Sequence, residues 1–143
     1  MLMGEYNHTI DSKGRVIVPA KFREQIGEKF ILAMWLDKCL MMVAPEEWEE
    51  LCENMTKLST AKRESRAFTR MLFSSATECD SDKQGRILIP AKLREYANLQ
   101  KGVSFIGVSR RIEIWATETW DQYSNQAEED FVDSAEKLGD IVF

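Results

Sequence analysis

The sequence predicts an α+β fold, mainly β, made of two tandem copies of one small module. Three observations predict it: a stretch beginning at Asp11 that returns at Asp82, an apolar triplet in each copy that runs into a proline, and helical apolar stripes that close each copy.

The repeat comes first. Asp11-Ser-Lys-Gly-Arg-Val-Ile-Val-Pro-Ala-Lys-Phe-Arg23 is answered by Asp82-Lys-Gln-Gly-Arg-Ile-Leu-Ile-Pro-Ala-Lys-Leu-Arg94, an offset of 71 residues. Asp11, Gly14, Arg15, Pro19, Ala20, Lys21, Arg23 and Glu24 recur as Asp82, Gly85, Arg86, Pro90, Ala91, Lys92, Arg94 and Glu95. Chance does not produce a match of this length and spacing.

Each element then follows from local chemistry. Gly14 and Gly85 can adopt positive φ, so a turn precedes the short strands Val16 to Val18 and Ile87 to Ile89. Pro19 and Pro90 end those strands and suit a helix start, predicting helices over Ala20 to Ile26 and Ala91 to Leu99. Hairpins follow: Phe30 to Met34 with Cys39 to Val43, and Val103 to Val108 with Arg111 to Trp115. A closing helix begins at Pro45, with Glu46 and Glu47 at its positive end and Trp48, Leu51, Cys52 and Met55 on one face. In the second copy Thr117 is the expected N-cap, ahead of a stripe of Trp120, Tyr123, Ala127 and Phe131.

Leu40, Ala44 and Trp48 are echoed by Ile112, Ala116 and Trp120, which places one extra residue in the loop before Gly107. The expected organisation is a first module over 1–55, a basic helical connector over 56–74, a second module over 75–127 and an acidic C-terminal helix or tail over 128–143.

Composition bounds the function. With 44% hydrophobic and 30% charged residues the chain is neither disordered nor fibrous. A half of about 70 residues has a thin core, so oligomerisation is expected. No apolar run reaches membrane length, and the N-terminus lacks a basic start and a long apolar stretch, so a cytoplasmic protein with no membrane partner is expected. Cys39, Cys52 and Cys79 are too scattered for a disulfide framework or a zinc site. His8 is the single histidine, and neither a glycine-rich phosphate loop nor a nucleophile with an evident base is present, so no enzyme, cofactor or small-molecule substrate is expected. Asp80 to Gly85 imitates the opening of an EF-hand, yet its twelfth position falls on Ala91, so no metal site is expected.

The net charge of −5 disfavours a uniformly electropositive surface, but the two signs are segregated. Lys57, Lys62, Arg63, Arg66 and Arg70 face only Glu64 over residues 57–70, whereas residues 118–140 carry eight acids against Lys137. An acidic total therefore leaves room for a local phosphate-binding face. The connector's cations suit acidic partners, such as Glu46 to Glu53 of another copy.

The doubled D-x-x-G-R-[VI]-x-[VI]-P-A-K-[FL]-R, with Met3-Gly4-Glu5-Tyr6 at the start, resembles the MraZ family and its two AbrB-like modules. That resemblance implies tandem swapped-hairpin β-barrel modules with flanking helices, assembled into a ring-shaped homo-oligomer. It also implies a nucleoid-associated DNA-binding regulator of transcription, typically a repressor of its own operon in the division and cell-wall cluster. Carried onto this chain, the motif implicates Asp11 and Arg15, and Asp82 and Arg86.

Arginine's planar fork matches guanine O6 and N7, so Arg15 and Arg86 are the candidates for base readout in double-stranded DNA. Lys13 and Lys83 suit phosphate, with Lys21, Arg23, Lys92 and Arg94 as weaker phosphate candidates on a helix face expected to be solvated. Asp11 and Asp82 repel phosphate, so their expected task is to orient each loop and its arginine. A ring of such subunits calls for direct repeats in a promoter. The competing reading is an oligomeric adaptor whose basic loops bind protein or RNA.

Overall fold

Each copy of the repeat folds as a strand, a short second strand, a helix, a hairpin and a closing helix. In a computed structural model the first copy gives β1 (Leu2–Thr9), β2 (Arg15–Ile17), α1 (Ala20–Ile26), β3 (Lys29–Met34), β4 (Leu40–Val43) and α2 (Pro45–Met55). After α3 (Arg63–Ser75) the second gives β5 (Thr77–Asp80), β6 (Arg86–Leu88), α4 (Ala91–Ala97), β7 (Gly102–Ser109), β8 (Arg111–Ala116) and α5 (Thr117–Glu129), followed by α6 (Phe131–Leu138). The structure describes residues 1–141, so the last two residues of the expected acidic tail lie outside the described residues.

Strands of the two copies alternate. The six-stranded sheet runs β1-β7-β8-β4-β3-β5, and β2 pairs with β6 in a separate two-stranded ribbon. The order reads the same from either end once each strand is replaced by its counterpart in the other copy. The registers agree with that approximate two-fold: Val16 sits opposite Ile87 in the ribbon, and Met41 sits opposite Glu113 where β4 meets β8.

One core results. Val16, Val18 and Phe22 of the first copy and Ile87, Ile89 and Leu93 of the second are all buried within a single cluster. At about 1.5–3 kcal/mol per large apolar side chain, this shared burial supplies what neither half holds alone. A second cluster lies outside the sheet, where Leu72 of α3 and the Trp48, Leu51 and Met55 stripe of α2 cover Ile31, Ala33, Met41 and Val43.

Several local expectations shift. α4 stops at Ala97 because Asn98 adopts left-handed geometry at φ 55 and ends the helix two residues before Leu99. Thr117 is the first helical residue of α5, with Ala116 as cap and no side-chain capping bond; its hydroxyl lies 3.0 Å from Ser104 Oγ instead. Phe131 opens α6, off the α5 stripe, and is 73% exposed. The connector turns irregularly through 56–62 before its helix begins at Arg63. The length difference between the copies has two parts: β3 follows α1 after residues 27–28 and β7 follows α4 after residues 98–101, while the hairpin tip shortens from 35–39 to 108–111 between the equivalent pairs Met34↔Leu40 and Gly107↔Ile112.

Candidate nucleic-acid interface

The Asp11 to Arg15 segment is a tight turn closed by its own side chains. Asp11 Oδ1 accepts the backbone N–H groups of Lys13 and Arg15, each at 2.9 Å, and Oδ2 accepts Arg15 Nε, also at 2.9 Å. The second loop repeats this: Asp82 Oδ1 accepts Gln84 and Arg86 N–H at 2.9 Å, and Oδ2 accepts Arg86 Nε at 2.9 Å. Both carboxyls are held below the ordinary carboxylate range, first by the backbone N–H of the following arginine and then by its side chain. They stay ionised at neutral pH.

Each ion pair engages the arginine through Nε. Among the described residues no protein group takes either Nη of Arg15 or Arg86, so the outer edge of each guanidinium keeps its donors for a ligand. The side chains are 35% and 31% exposed.

The ribbon sets the two arginines relative to one another. Arg15 pairs with Leu88 and Arg86 with Ile17, one position either side of Val16↔Ile87. Because alternate residues share a face, Val16 and Ile87 point into the core while Arg15, Ile17, Arg86 and Leu88 share the outer face. Diagonal neighbours in such a pair lie roughly 7–8 Å apart, so both guanidiniums serve one surface. A two-stranded ribbon is an element that the DNA major groove admits.

The chain matches the family described as "MraZ protein, putative antitoxin-like" over residues 1–71 and again over 72–141. It is 55% identical over 141 residues to a protein named transcriptional regulator MraZ from Thermoanaerobacter sp. (strain X514), covering 99% of each chain. A protein of the same name from Caldanaerobacter subterraneus subsp. tengcongensis is 54% identical over 138 residues, covering 96% of each. The chain belongs to the MraZ family.

Within this MraZ fold the other sequence candidates fall in different places. Lys13 and Lys83 are both exposed in the loops, but the counterpart of Lys13 is Gln84, so the lysines occupy neighbouring positions of the turn in the two copies. Lys21 and Lys92 are exposed on their helices. Arg23 and Arg94 leave the expected solvated face: each is partly buried and lies over the loop of the opposite copy. A helix pattern read alone places them outward because the covering loop is distant in sequence. Ile17 and Leu88, 42% and 56% exposed, share the outer face with the arginines; the signal in the sequence is an apolar residue two places after each arginine, on the arginine's own side of the strand.

Other chemistry is sparse. Burial raises the Cys39 and Cys79 thiols, the latter to about 11. Among the described residues no three His, Cys, Asp or Glu side chains converge as a metal site, and no helix is long and apolar enough to cross a membrane.

Proposed function

We propose that this chain, whose relatives are named transcriptional regulators, is a sequence-specific regulator of transcription that binds double-stranded DNA. One observation carries the reading: Arg15 and Arg86 share the outer face of one two-stranded ribbon, each with its guanidinium fixed by its own aspartate and its Nη donors free of protein partners among the described residues. Guanine O6 and N7 in the major groove accept such a fork. Lys13 and Lys83 neutralise phosphates on either side, which fixes the register of the duplex.

The finer assignment is a repressor of its own operon in the division and cell-wall cluster, built from swapped-hairpin barrel modules assembled in a ring on the nucleoid. The interleaving of strands between copies supports the swapped arrangement. The exposed apolar residues Phe131, Val132 and Leu138 on α6 support assembly, since an eight-residue helix with no buried side chain has little to hold it in isolation.

The test is retention of the DNA upstream of the chain's own coding sequence against a shuffled duplex at two salt concentrations. Selective retention that weakens with salt is expected. Equal retention of both duplexes rejects sequence readout and returns the adaptor reading.

A further inference from the structure

The two loops are not independent. Gly85 lies under the Arg23 guanidinium of the opposite copy, so closely that an added Cβ would stand 2.5 Å from Arg23 Cζ and 2.8 Å from Nε. Gly14 lies under Arg94 in the same way, with 2.6 Å to Nη1 and 2.7 Å to Cζ. Both glycines are buried and take positive φ, +86 at Gly14 and +79 at Gly85. Each therefore meets two demands at once, a left-handed backbone and a flat cation against Cα, and only glycine satisfies both.

Backbone bonds complete the contact. Val18 N–H donates to Gly85 O at 2.9 Å, and Val18 O accepts Arg23 Nε at 2.9 Å. Gly85, Val18 and Arg23 thus close a circuit from the second loop, through the end of β2, to the helix of the first copy and back. Ile89 N–H donates to Gly14 O at 2.9 Å in the other half, but Arg94 Nε is buried without a partner among the described residues. That circuit has one link fewer.

Arg86 follows Gly85 directly, and Arg15 follows Gly14. We infer that Arg23 and Arg94 are crossed positioning residues: the helix of each copy fixes the base-reading arginine of the other, Arg23 setting Arg86 and Arg94 setting Arg15. This rests on the DNA reading above for its consequence, though the clasp is a property of the free protein. Lysine cannot replace either residue, because an ammonium lacks the plane that lies on glycine, and at position 23 it also lacks the Nε donor that reaches Val18.

The experiment has two arms. In the full chain without DNA, Arg23→Gln is expected to shift the Asp82 to Arg86 amides and the Arg86 Nε–H signal while leaving Asp11 to Arg15 nearly unmoved, and Arg94→Gln the converse. Shifts confined to each variant's own copy, or none, overturn the clasp. In the second arm a duplex recovered from randomised double-stranded DNA by the unaltered protein serves as probe. Arg23→Gln should weaken binding roughly tenfold, within the range of one lost base contact, with the salt slope unchanged. It should be non-additive with Arg86→Ala and additive with Arg15→Ala, and Arg23→Lys should not restore binding. Rescue by lysine together with a salt slope reduced by about one shows Arg23 to be a phosphate contact and overturns the proposal. Should the randomised pool yield no preferred sequence, the DNA reading fails by itself, and the free-protein spectra still decide whether the clasp exists.

Discussion

Val16 stands opposite Ile87, its own counterpart in the repeat, at the centre of the β2–β6 ribbon. This self-pairing makes the approximate two-fold pass through the ribbon, and it brings Arg15 and Arg86 to equivalent positions on one outer face. A one-residue slip of either strand would turn that strand's arginine inward and its core residue out, so the two arginines would no longer share a face. Ile87→Ala empties a buried site at this pivot and is expected to lower stability by about 2–5 kcal/mol. Urea unfolding would measure it, and a loss comparable to that of a surface substitution would mean that the ribbon is not integral to the core.

Arg15→Ala and Arg86→Ala should each weaken specific DNA binding by about 1–3 kcal/mol while leaving the unfolding midpoint nearly unchanged, since among the described residues each side chain bonds only within its own loop. Titration of a selected and a random duplex with each variant separates the alternatives. Equal loss on both duplexes would assign these arginines to phosphate.

Gly85→Ala should destabilise by about 1–2 kcal/mol from left-handed strain alone, with a further loss from displacing the Arg23 guanidinium. Arg23→Ala removes the obstruction and keeps the strain. The double variant is therefore expected to be more stable than the sum of the two single losses predicts, as unfolding of all three proteins would reveal. Strict additivity would show that the close approach has no energetic weight.

Acid should open both loops. Asp11 and Asp82 have folded pKa values below their ordinary value of 3.8, so each favours the native turn whenever it is ionised. The sign follows from proton uptake: the unfolded chain binds these protons first, so the contribution is fully present above 3.8 and is lost as the pH falls through the lower folded values. The Nε–H groups of Arg15 and Arg86, followed from pH 6 to about pH 2, should lose protection relative to a free arginine side chain only at the acid end. Early loss of protection near pH 5 would mean that the carboxylates do not hold the guanidiniums in solution.

Much of the fold was legible where an element has a local cause, which β1 and β5 lack. Pro19 and Pro90 mark where strand gives way to helix, and α1 occupies Ala20–Ile26 as its pattern predicts. Partnership between elements was not legible: β1 pairs with β7, Tyr6 opposite Phe105, and nothing in either strand's alternation names so distant a neighbour. The same blindness hid the environment of Arg23 and Arg94, whose helix period is that of a solvated face until the opposite loop covers it. Thr117 misled for a related reason, since its capping hydroxyl was already engaged by Ser104 across the strand.

Operator geometry gives the last prediction. If subunits follow one another head to tail in a ring, successive ribbons meet the duplex in the same sense, which calls for direct repeats of a short box, whereas an isolated two-fold dimer calls for a palindrome. If Arg15 and Arg86 read bases from their common face, each box is expected to be guanine-rich. Successive boxes must face the same side of the helix, so their spacing should be about one turn, on the order of 10 base pairs. One box engages one ribbon weakly; several raise affinity through effective concentration without any new contact. Inserting about 5 base pairs between two boxes rotates the second to the far side of the duplex, while inserting about 10 restores its facing at greater distance. Binding measured on both duplexes should fall far more for the half-turn insertion. Equal tolerance of the two insertions, or a preference for inverted boxes, would exclude head-to-tail reading by neighbouring subunits.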